Sequence, residues 1–173
     1  MTTRTSVIPR RSVLSWAASS MALSACGFKL RGQQDFAFTS LYSGFAASSA
    51  LGDEFRRTLE SSGNVKVIVD NKELNKAQVV LDVMTDQREK TVVGVSANGT
   101  VRKFQLRLRF KFRLRTVGGK DLIAETEILQ QRDINFSESA VLSKEAEEGL
   151  LYRDMQSDIV QQTLRRLGAV RSL

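Results

Sequence analysis

Lys103-Phe104-Gln105-Leu106-Arg107-Leu108-Arg109-Phe110-Lys111-Phe112-Arg113-Leu114-Arg115 alternates polar and apolar residues without a break. Six of its seven polar positions are basic. Successive side chains of a strand point to opposite sides, so this pattern sets one face against a core and the other in water. At about 3.3 Å per residue the strand is roughly 40 Å long. A membrane-barrel strand also alternates, but one strand cannot close a barrel, and six cations fit neither of its faces.

The stretch runs into Thr116-Val117-Gly118-Gly119. A three-residue loop over 117–119, with Gly119 left-handed, turns the chain into an antiparallel partner. Residues whose numbers sum to 236 then face each other. Arg115 meets Asp121, Lys111 meets Glu125 and Arg109 meets Glu127 on the polar face. Leu114 meets Leu122, Phe112 meets Ala124 and Leu108 meets Ile128 on the other. Arg107 and Arg113 have no acid opposite in this register, which marks them as candidates for an outside ligand or partner.

Upstream, Asn98-Gly99 signals a hairpin back to an earlier strand, Gln78–Thr85, continuing through 91–95. Val65–Val69 is β-branched, and 70–76 is a polar loop. Leu51, Phe55 and Leu59 recur at i, i+4 and i+8, one face of a helix over about 49–62. Ser48 or Ser49 caps its start and Gly63 ends it. A short strand fits Phe36–Tyr42. Downstream, Ser143 caps a second helix, whose stripe is Leu151, Met155, Ile159 and Thr163, widened by Leu150, Val160, Leu164 and Leu167. Gly168 ends it. An apolar sheet face carrying two amphipathic helices is an α+β two-layer sandwich: a mostly antiparallel four- to five-stranded sheet with both helices on one face.

The 173 residues include one cysteine, one proline and no histidine. No intrachain disulfide, no Cys/His metal site and no Ser-His-Asp or Cys-His catalytic group can be built. The carboxylates are scattered at helix starts and cross-strand positions, so nothing marks an enzyme. The net charge of +7 invites nucleic acid, but the N-terminus argues for export and against that partner.

Residues 1–25 carry Arg4, Arg10 and Arg11, no acid, and a short apolar run from Val13 to Leu23. That is the layout of a secretory signal. Arg10-Arg11 leaves Sec and twin-arginine export both open. The segment ends in Leu23-Ser24-Ala25-Cys26, which resembles the lipobox of bacterial lipoproteins. The resemblance implies cleavage before Cys26 and a covalent lipid on its sulfur as the membrane anchor. Gly27, where aspartate would mark inner-membrane retention, implies the outer membrane. The expected organisation is a lipoprotein signal peptide over 1–25 and one domain over 26–173, with 26–35 as its anchor-proximal segment.

Cys26-Gly27-Phe28-Lys29-Leu30-Arg31-Gly32, the Asn98-Gly99 hairpin and the closing Leu164-Arg165-Arg166-Leu167 together resemble the LptE family. The resemblance implies a lipoprotein that plugs the LptD outer-membrane barrel and helps deliver lipopolysaccharide (LPS) to the outer leaflet. It implies no cofactor beyond the lipid on Cys26. It places lipid-contacting cations near the hairpin tip and at the start of the second helix. Lys144 matches the second position. The tip, Ser96 to Thr100, carries no cation, and Arg102 and Lys103 follow it. The candidates for LPS or partner binding are therefore Lys144, Arg107, Arg113, Arg102 and Lys103. The other reading is a periplasm-facing lipoprotein that carries lipid or lipoprotein chains, which needs an apolar cavity of its own between sheet and helices.

Overall fold

The computed structural model describes residues 35–62 and 65–173. The signal segment, Cys26 and Gly63 lie outside the described residues, as does the anchor-proximal segment up to residue 34. In chain order the elements are β1 (Ser40–Ser43), α1 (Ala50–Ser62), β2 (Lys66–Ile68), β3 (Val79–Val95), β4 (Val101–Thr116), β5 (Asp121–Asn135) and α2 (Val141–Gly168). Short 3-10 turns at Asn71–Lys76 and Glu138–Ala140 complete them.

The alternating stretch is β4, the fourth strand of a sheet ordered β2-β1-β3-β4-β5. Leu106, Leu108, Phe110, Phe112 and Leu114 are all buried, and the cations between them are half-exposed. Against this face pack Leu51, Phe55 and Leu59 of α1 and Met155, Ile159, Leu164 and Leu167 of α2. Phe45 stacks on Phe110 at 5.3 Å, and Phe110 on Phe112 at 5.2 Å. The result is the expected α+β fold, one mostly antiparallel sheet with two main helices. The exception is β1, which runs parallel to both β2 and β3.

Local chemistry explains the ends. Ser49 caps α1, its Oγ accepting from Gly52 N at 2.8 Å. The expected polar loop at 70–76 is instead a 3-10 helix, started by Asp70 accepting from Lys72 N at 2.9 Å. The α2 helix begins at Val141 with no side-chain cap, so Ser143 lies inside its first turn. Leu150, expected in the stripe, is exposed, and Tyr152 and Gln156 are buried instead.

The β4–β5 turn has the expected three residues, with Thr116 N donating to Lys120 O at 2.8 Å and Gly119 at φ +93°. The sum of 236 holds only at Arg115–Asp121. Two irregularities follow, so Leu114 faces Ile123, Phe112 faces Thr126 and Leu108 faces Gln130. Each bulge adds one residue to β5. They let the adjacent Leu122 and Ile123 both pack on the core, which strict alternation forbids. Two single steps restore the original facing, so the acids of β5 still lie beside the cations of β4. Gly119→Val should cost more than about 1 kcal/mol, because a β-branched residue is strained at positive φ. Gly118→Val, where φ is not positive, should cost less. Urea midpoints of both variants check this.

Candidate functional site

The outer face of β4 is a ladder of ion pairs. Lys103 pairs with Asp133 at 2.7 Å, Arg109 with Glu127 at 3.3 Å, and Lys111 with Glu125. The last two pairs are those expected from the sequence, formed diagonally across the shifted register. Arg113, expected to lack an acid, has one. The expectation weighs β5 alone, whereas β3 flanks β4 on its other side, with Asp82 directly opposite Arg113. Asp82 takes Arg113 at 2.8 Å and Arg115 at 2.7 Å. Arg113 also reaches Asp121 at 3.8 Å. Arg107 faces Glu89 in register but donates to Gln105 at 2.8 Å, with no ion pair among the described residues. Arg102 is exposed and likewise unpaired among them.

Burial pushes the Asp82 carboxyl up, but hydrogen bonds from Arg115 and Arg113 outweigh it and hold the group below the usual carboxylate range. A depressed carboxylate contributes stability that is present above its unfolded pKa of about 3.9 and lost as pH falls through the folded value. Below about pH 4 the wild type should lose stability faster than Asp82→Asn. Urea titrations from pH 6 to pH 2.5 measure the difference, and parallel curves would refute the Asp82 contribution.

A different corner gathers cations and apolar surface together. β3 carries a bulge between Val83 and Thr85. Before it, Val79, Leu81 and Val83 face the core. After it, Asp86, Arg88, Lys90 and Val92 share that side, opposite Phe110, Leu108, Leu106 and Phe104. Lys90 is thereby brought over the Phe104 ring, 4.5 Å from its centroid, and pairs with Glu148 of α2 at 2.6 Å. Phe104 meets Phe136 edge to face at 5.4 Å. Lys144, in the first turn of α2, pairs with Glu147 at 2.7 Å. Lys90, Phe104, Phe136, Lys144 and Glu148 line one small cavity of about 60 Å³. Around it Val92, Val95, Val141 and Leu142 are exposed. Two ammonium groups beside exposed apolar side chains are chemistry for an anionic amphiphile.

Of the five candidate cations, Lys144 belongs to this corner. Lys103 and Arg102 flank it on β4, with Phe136 N donating to Arg102 O at 2.8 Å. Arg107 and Arg113 lie on the outer face, away from it. Sequence reasoning missed Lys90. The signal available was the run of polar residues at 86, 88 and 90, spaced for one face.

Among the described residues no group of three or more Asp, Glu or Cys side chains could hold a metal ion. No helix among them is long and apolar enough to cross a membrane.

The profile of the LptE family, described as lipopolysaccharide-assembly, matches residues 37–167. Among solved structures, lipoprotein B of Nitrosomonas europaea is 34% identical, with a TM-score of 0.69 over 83% of this chain and 91% of its own. Rare lipoprotein B of Shewanella oneidensis has 22% identity and a TM-score of 0.61, covering 75% of this chain and 94% of its own. A minor lipoprotein of Acinetobacter baumannii has 17% identity and a TM-score of 0.61, covering 78% and 94%. These last two are similar in fold. No curated protein matches the sequence. With the profile spanning most of the described fold, the chain belongs to the LptE family of lipopolysaccharide-assembly lipoproteins.

Proposed function

We propose that the protein is a non-enzymatic outer-membrane lipoprotein, anchored through lipid on Cys26, that acts with an LptD-type β-barrel as its plug and assembly partner in LPS delivery. The corner of Lys90, Lys144, Phe104 and Phe136 is the LPS contact, and it carries the proposal. Its ammonium groups pair with lipid A phosphates, and its exposed valines and Leu142 meet the acyl region. Arg102 and Lys103 extend the cationic rim. The ion-pair ladder of β4, with Arg107 and Arg113, is the face that docks in the barrel lumen. A plug needs a packed interior, and Phe45, Phe55, Phe110 and Phe112 fill the space between sheet and helices. That packing speaks against a carrier with its own apolar cavity.

The double variant Lys90→Glu, Lys144→Glu should weaken LPS binding at least tenfold, about 1.4 kcal/mol, with the fold intact. Charge-assisted hydrogen bonds are worth roughly 1.5–3 kcal/mol each, and the loss of pairing with Glu147 and Glu148 offsets part of that. The difference should shrink at high salt. Wild-type LPS affinity in a folded double variant would reject the corner. Purification from outer membranes without a large β-barrel would reject the plug role.

A further inference from the structure

A second polar concavity, apart from the hairpin-end corner, opens between the start of α1, the helix side of β3 and the middle of α2. Its volume is about 350 Å³, and Ser48, Ser49, Asp86, Arg88 and Gln156 line it. Gln156 is 4% exposed, and its amide has no hydrogen bond among the described residues. Its amide oxygen and nitrogen keep contact with solvent in the cleft, so both are free to bond a ligand there. Arg88 lies 5.2 Å from the Tyr152 ring centroid. That contact positions the guanidinium and leaves its N–H donors without an acid among the described residues. Asp86 Oδ2 accepts from Ser49 Oγ at 2.5 Å, and its other oxygen is open.

The cleft therefore presents strong donors on Arg88, a donor and an acceptor on Gln156, and an acceptor on Asp86. Its two charges oppose each other, so it is electrically balanced. A phosphate or carboxylate would meet Asp86. An acyl chain would leave Gln156 unpaired. An extended peptide needs a free edge or a long groove, whereas three elements wall this cleft. We propose that the cleft binds a saccharide ring, its hydroxyls accepting from Arg88 and Gln156 and donating to Asp86. The proposal rests on the LPS reading for the source of the sugar, the saccharide portion of that molecule.

The test is a titration of the full chain, following the side-chain N–H signals of Gln156 and Arg88 by NMR. Three probes are used: de-acylated, dephosphorylated core oligosaccharide, inorganic phosphate, and intact LPS. The oligosaccharide should give saturable shifts at both side chains, and phosphate alone should not. Gln156→Leu and, separately, the more exposed Arg88→Gln should each weaken oligosaccharide binding at least tenfold. Using both keeps the test valid if one variant folds poorly. Equal shifts with inorganic phosphate would overturn the proposal in favour of an anion site. Intact LPS binding with no oligosaccharide response at Gln156 would overturn it and leave the LPS reading standing. Failure of both LPS and oligosaccharide would overturn both.

Discussion

Phe110→Ala should destabilise the domain by about 3–5 kcal/mol, the range for removing a buried phenyl ring. Phe110 is 1% exposed and stands between two stacked rings, Phe45 on one side and Phe112 on the other. Phe45 in turn touches Phe55 of α1 at 5.5 Å, so this aromatic column ties the first helix to the centre of β4. The substitution leaves a void and removes two ring pairs, each worth roughly 0.5–1.5 kcal/mol beyond buried area. Against a typical total stability of about 5–15 kcal/mol, the domain would become marginal. Its thermal midpoint should fall by roughly 10–15 °C. Phe110→Leu should cost clearly less, since most of the volume stays. A loss below about 1 kcal/mol in urea denaturation of Phe110→Ala would show that the column does not hold the layers together.

Gly44→Ala should be nearly as damaging, for a different reason. A Cβ at this residue would stand 2.5 Å from Leu81 O and 3.3 Å from Val83 N. Both atoms are backbone of β3 and cannot swing aside. Gly44 N also donates to Leu81 O at 2.9 Å, extending the pairing of Leu41 with Val79 through Ser43 with Leu81. One methyl group would push β1 away from β3 and loosen that short ladder. Overpacking costs about 1–3 kcal/mol and a weakened hydrogen bond about 1 more, so about 3 kcal/mol is expected. Gly149→Ala has the opposite sign. It lies within α2, where an added methyl group would meet nothing within 4 Å, and should gain about 0.5–1 kcal/mol. Paired urea titrations of the two variants measure both. A Gly44→Ala protein as stable as the wild type would mean that β1 is not held at this spacing.

Elements written in periodic residues are legible in the sequence alone. The β4 alternation, the Leu51, Phe55 and Leu59 stripe, the Ser49 cap and the Gly119 turn each rest on local chemistry, and each is present. Bulges rest on something else. Leu122 and Ile123 sit side by side because the core accepts both, and Met84 is displaced where β3 exchanges faces. A counting rule carried along the strand has no access to either choice. The parallel seat of β1 is likewise a tertiary decision, since four residues carry too little pattern to state direction. The same gap affects the site. Lys144 is picked out only by the family resemblance, which implies a cation at the start of the second helix. Lys90 shows only as one of three polar residues, at 86, 88 and 90, spaced for one face, and that this is the core side depends on the bulge at Met84. Arg113 reads as unpaired because Asp82 reaches it from a strand whose register the sequence does not specify. Gln156 reads as an ordinary polar helix residue until the cleft wall is known.

The placement of β1 has a consequence for how the chain assembles. β3, β4 and β5 follow one another through tight turns, so their ladders can zip from neighbouring residues with little loop-closure entropy. β1 cannot. It is the first described strand, yet it sits between β2 and β3 and meets Val79 only after α1 and β2 have been passed. Its entry closes a long loop for a few hydrogen bonds, so it belongs to the late, slow part of folding. The same accounting run backwards makes the β2–β1 edge the first part of the sheet to open, while the long meander beneath α2 stays closed.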